Sequence, residues 1–85
     1  NYPNPFNPET TLGYYLPNSA QVSLTIYDMS GRKVIDLVNE KQTSGYKSEY
    51  WDGTDNNGKY VSGGVYLYKI KVGNNVQTKK MILLK

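Results

Sequence analysis

The chain has 85 residues, enough for one domain with a thin core, because a chain this short buries only about 60–65% of the surface it exposes when unfolded. Hydrophobic content is low at 38%, but nine Tyr beside one Phe and one Trp, with β-branched residues in short runs, exclude disorder. A net charge of +3 spread along the chain, with no Cys or His, excludes a disulfide framework, thiolate metal sites and His-based acid–base catalysis.

Residues 1–8 hold Pro3, Pro5 and Pro8, which favour an extended lead-in with Phe6 pinned into the domain. Thr10 to Leu16 alternates, with Leu12, Tyr14 and Leu16 on one face, and reads as a strand ended by Pro17-Asn18-Ser19. Gln21 to Tyr27 is the clearest amphipathic strand, with Val22, Leu24 and Ile26 inward. Asp28 to Arg32 forms a hairpin turn with Gly31 free to take positive φ, and Lys33 to Val38 resumes as strand. Glu40 to Gly45 reads as loop. Tyr46 to Trp51 is a further strand whose faces compete, Tyr46/Ser48/Tyr50 against Lys47/Glu49/Trp51, with Trp51 expected inside.

Asp52 to Gly58 is a polar turn. Val65 to Val72 puts Tyr66, Tyr68, Ile70 and Val72 on one face, and after Gly73-Asn74-Asn75 the segment Val76 to Leu84 closes the sheet. No helical period appears. About seven short strands separated by turns predict an all-β fold, an immunoglobulin- or fibronectin-like Greek-key sandwich spanning 1–85. Its expected core includes Leu12, Leu24, Ile26, Trp51, Tyr66 and Tyr68, with Ile82 and Leu84 contributing at the end.

No catalytic constellation emerges. Two opposed carboxylates would need a cleft, and a sandwich this small has little room for one. Asp52, Asp55 and Asn57 resemble a calcium loop superficially, but position 63 is glycine where an EF-hand needs a bidentate Glu. Turn chemistry is preferred there, with Asn57 and Gly58 at positive φ. No cofactor is expected. The outward tyrosines are expected to be scattered, which weakens a sugar-stacking platform.

The basic cluster of Lys79, Lys80 and Lys85 lacks the density of a nucleic-acid footprint, and no apolar run is long enough for a membrane-spanning helix. Asn1-Tyr2-Pro3-Asn4-Pro5 is no signal peptide, so the chain is expected to be the C-terminal fragment of a larger exported protein. The last strand (Lys79, Lys80, Met81, Ile82, Leu83, Leu84 and Lys85) is the candidate recognition strand. Lysines guard an edge against indiscriminate pairing, while a partner or a second copy could still add a strand there.

Five segments stand in a particular order along the chain: Tyr2-Pro3-Asn4-Pro5-Phe6-Asn7-Pro8, Tyr27-Asp28-Met29-Ser30-Gly31, Trp51-Asp52-Gly53-Thr54-Asp55, Ser62-Gly63-Gly64-Val65-Tyr66 and Lys80-Met81-Ile82-Leu83-Leu84-Lys85. This order resembles the type IX secretion C-terminal sorting domain of Bacteroidetes-type bacteria, and equally the immunoglobulin-like domain of the flagellar hook-capping protein. Glu49 stands where relatives carry an aliphatic residue. The sorting resemblance implies partners in the outer-membrane secretion machinery, a surface sortase in some members, and a cell-surface or extracellular location. Sorting or anchoring is the leading expectation. A self-assembling structural module of a surface or filament, and a carbohydrate-binding accessory domain, are the alternatives.

Overall fold

A computed structural model describes residues 10–84, with Thr10 described by its backbone alone. The proline-rich lead-in, Phe6 and Lys85 lie outside the described residues. Six strands form: β1 (Thr10–Leu16), β2 (Ala20–Asp28), β3 (Lys33–Gln42), β4 (Gly45–Trp51), β5 (Gly64–Val72) and β6 (Asn75–Leu83). A small sheet pairs β1 with β4, and a large sheet runs β3-β2-β5-β6, with every pair antiparallel. The chain goes from β2 to β3 by a hairpin, crosses to β4, and returns to place β5 beside β2. That is Greek-key connectivity. The fold is an all-β, immunoglobulin-like sandwich, with six strands among the described residues where about seven are expected.

Glu40 to Gln42 corrects the sequence reading, since these residues extend β3 instead of forming a loop. Lys41 and Glu40 pair with Gln21 and Val22, and Gly45 opens β4 opposite Leu16. The cause is physical. At the rim of a two-layer sandwich, backbone pairing continues past the core, so the side chains there need no apolar character. The β2–β3 register slips between Leu24 and Thr25 of β2 and again between Ile26 and Tyr27, which leaves Leu37 and Val34 of β3 as extra residues. Bulges of this kind add twist, and β3 closes toward β4 across the open side of the sandwich.

The inward face of β1 supplies Leu12, Tyr14 and Leu16 to the core, β2 supplies Val22, Leu24 and Ile26, and β5 supplies Tyr66, Tyr68 and Ile70. Val34, Val38, Met81 and Leu83 complete it with Trp51. Trp51 is fully buried. Its ring meets Tyr66 edge-on at 5.3 Å, and its Nε1–H donates to Thr54 O at 2.8 Å. Its strand neighbours Lys47 and Glu49 share its face but lie toward the rim, half-buried, while Tyr46, Ser48 and Tyr50 point outward.

Trp51→Ala removes a ring that two layers enclose, and should cost about 3–5 kcal/mol in chemical denaturation. A loss under about 1 kcal/mol would mean that the ring is not enclosed as described.

Candidate functional site

Strand β6 borders the large sheet and pairs with β5 from Gly64↔Leu83 to Val72↔Asn75. Alternation along it is regular at the end, where Met81 and Leu83 are buried and Ile82 and Leu84 are about 60% exposed. This corrects the expectation that Ile82 and Leu84 belong to the core; Met81 and Leu83 do that work. From Asn75 to Lys80 the strand is exposed on both faces, because the two-stranded sheet opposite is too narrow to cover it. Lys79 lies on the inward-facing side, opposite Tyr68, and Lys80 on the outward side, opposite Leu67. Beneath this overhang, Tyr14, Tyr15 and Pro17 face Ile70, Val72 and Gln77 across a groove of about 440 Å³.

Asp52 and Asp55 are occupied by their own turn. Asp52 Oδ1 accepts from the N–H and hydroxyl of Thr54 at 3.1 and 2.6 Å. Asp55 Oδ1 accepts from the N–H groups of Asn57 and Lys59 at 2.9 and 3.0 Å. Asn56 N–H donates to Val34 O at 3.1 Å and fastens the loop to β3. Gly58 takes φ of +79°, whereas Asn57 does not adopt positive φ, so the Asn57 expectation is corrected. The aspartate carboxylates supply the turn geometry, and the asparagine need not bend. Asp52, Asp55 and Asn57 therefore form a self-satisfied turn.

Asp28 does the same for the β2–β3 hairpin. Its Oδ1 accepts from the Ser30 N–H, the Ser30 hydroxyl and the Arg32 N–H. The Ser30 hydroxyl, ahead of the backbone donors, holds this carboxyl below its ordinary range. Asp36 is lowered chiefly by Lys33 Nζ at 3.0 Å and next by the Thr25 hydroxyl at 2.9 Å. Tyr14, whose hydroxyl donates to Gln42 Oε1, is raised, first by burial and then by Glu49.

The tyrosines divide by layer. Tyr14, Tyr66 and Tyr68 are buried, while Tyr15, Tyr46 and Tyr50 share the outer face of the small sheet. Tyr15 and Tyr46 stand directly opposite with ring centroids 4.7 Å apart, so these outward rings are not scattered as expected.

A family model described as the FlgD Ig-like domain matches residues 6–76. The chain belongs to the FlgD Ig-like domain family. A crystal structure of FlgD from P. aeruginosa superposes on this FlgD-type domain with a TM-score of 0.70 at 25% identity. The match covers 88% of this chain and 59% of that one, so the domain spans little more than half of the solved protein. The search of curated proteins found no match. The immunoglobulin-like half of the sequence resemblance is thus established. The family match favours the structural-module expectation over the sorting expectation that leads in the sequence.

The two lowered carboxyls fix the acid behaviour of the FlgD-type domain. Their stabilisation is present above the ordinary carboxylate value of 3.8 and is lost as pH falls through their lower folded values. Melting temperature should drop below about pH 4, and Asp28→Asn/Asp36→Asn should flatten that acid limb. An unchanged acid limb would contradict the assignment. Melts with calcium and with chelator should coincide, because the Asp52–Gly58 turn satisfies itself. A rise of several degrees with calcium would show a site there.

Proposed function

We propose that the domain is a non-catalytic assembly module, part of an exported protein that builds or caps a surface structure in the manner of a flagellar hook cap. Membership of the FlgD Ig-like family carries this reading. The geometry supports it too. Asp28, Asp52 and Asp55 are engaged in turn geometry and Asp36 in an ion pair with Lys33, and what the domain presents outward is sheet edge and sheet face. An edge strand exposed on both sides, as Asn75 to Lys80 is, suits pairing with an added strand, whose backbone supplies affinity while side chains supply selectivity. Lysines at its end limit indiscriminate pairing. Such a module acts outside the cytoplasm, at a cell surface or filament tip.

Sorting by a type IX outer-membrane machinery, with a surface sortase following, is the second reading. It rests on the edge strand β6, where Lys79 and Lys80 point to opposite sides beside exposed Ile82 and Leu84.

Deleting this domain from its parent protein separates the two readings by cell fractionation. The assembly reading predicts that the parent is exported but fails to be retained in the assembled surface structure. Accumulation in the periplasm would overturn assembly and support sorting. Normal export with normal retention would contradict both. For the sorting reading, Lys80→Ser/Lys85→Ser in a melt-verified reporter fusion should leave the reporter in the periplasm.

A further inference from the structure

Charge is unevenly distributed over the sandwich. The outer face of the large sheet carries Lys33, Lys41, Lys69, Lys71 and Lys80 against one carboxylate, Asp36, and Lys33 already pairs with that carboxylate at 3.0 Å. The other described residues carry four cations (Arg32, Lys47, Lys59 and Lys79) against five carboxylates (Asp28, Glu40, Glu49, Asp52 and Asp55). One face therefore holds an excess of four positive charges, and the rest of the described surface is slightly negative.

Strand order alone creates this. Lys41 comes from β3, Lys69 and Lys71 from β5 and Lys80 from β6, and the 3-2-5-6 arrangement brings them onto one surface. Register sets Lys71 opposite Ser23 and Lys69 opposite Thr25, and it places Gln21 opposite Lys41. Same-face neighbours stand roughly 6.7 Å apart along a strand and about 4.8 Å apart across strands. Lys71 also borders a shallow dent of about 330 Å³ with Gln21, Ser23, Asn39 and Gly73. There the Gln21 amide donates to Asn39 Oδ1 at 3.1 Å, so both amides present their remaining donors and acceptors outward.

We infer that this face binds a linear acidic polysaccharide, with one sugar ring seated in the dent and its neighbours' carboxylates along Lys41, Lys69 and Lys71. The inference stands apart from the assembly reading, which concerns the β6 edge. Charge complementarity selects an anionic partner, because a field focused on one face attracts a polyanion that the rest of the surface does not. The chemistry of the face selects the class. Lysine and serine are depleted in protein–protein interface cores, where aromatic residues and arginine dominate, so the face does not resemble a protein-docking core. Single-stranded nucleic acid needs exposed rings for stacking, and the one ring on this face among the described residues, Tyr27, has Lys69 Nζ over it at 5.3 Å. Lysines are hydrated point charges that suit spaced carboxylates, and the amides and hydroxyls between them suit sugar hydroxyls.

The test is binding of the 85-residue chain to polygalacturonate, with single-stranded DNA and phosphatidylglycerol vesicles as parallel probes. Two variants lose the same charge: Lys41→Ser/Lys69→Ser/Lys71→Ser on the face, and Lys47→Ser/Lys59→Ser/Lys79→Ser elsewhere. Every lysine in these sets is exposed except the half-buried Lys47; a thermal melt verifies folding of both variants, and the single Lys71→Gln serves if the triple variant melts early. The face variant should weaken polygalacturonate binding at least about tenfold, in line with surface lysines near an anionic layer. The control should stay within about twofold, and the wild-type affinity should fall steeply with salt. Equal loss in both variants would reduce the effect to net charge and overturn the site. No binding, or tighter binding to DNA or to vesicles, would overturn the polysaccharide assignment.

Discussion

Trp51 sits where the last residue of the small sheet, the turn that follows it and the inner face of the large sheet meet. Its ring fills the space beside Tyr66 of β5, and its indole N–H is bonded to Thr54 O, three residues further along. A two-stranded sheet has little holding power of its own, and β4 offers few inward apolar side chains besides this one. The position of β4 over the large sheet, and so the closure of the sandwich, depends on that contact. The bond to Thr54 also starts the Asp52–Gly58 turn, where Asp55 and Asn56 take over and tie the loop to β3.

Other features follow from the narrowness of the small sheet. Two strands cover β2, β5 and the end of β6, and leave the first half of β6 without a facing layer. The outer face of the large sheet is free to carry polar and basic side chains because it has no share in the core. Exposed edge and charged face are thus consequences of one thin core, and the functional readings rest on those two surfaces. A domain of this design can use its backbone rim for assembly while a separate face meets a charged partner.

Much of the fold was legible in the sequence because the alternation in β1, β2 and β5 is local. Leu12, Leu24, Ile26, Tyr66 and Tyr68 each lie within a period-two pattern that two or three neighbours reinforce. Glu40 to Gln42 was not legible as strand, since at the rim backbone pairing holds those residues without apolar contacts. The faces of β4 were ambiguous for a related reason, because Lys47 and Glu49 point inward but lie at the margin of the core. Ile82 and Leu84 look like core residues by composition, and only the pairing of Leu83 with Gly64 and Ile82 with Val65 fixes which side each takes. The candidate surfaces were the least legible. Tyr15 and Tyr46 become neighbours only through the β1–β4 register, and Lys41 reaches the face of Lys69 and Lys71 only through strand order.

Trp51 locks the two sheets together, and hydrogen exchange at its indole N–H measures this directly. If the ring is enclosed and its N–H held by Thr54 O, exchange should require global unfolding, and its protection should match that of the slowest backbone amides in β2 and β5. Exchange as fast as that of exposed loop amides, under conditions where β2 and β5 remain protected, would show that the small sheet opens independently and that Trp51 does not lock it.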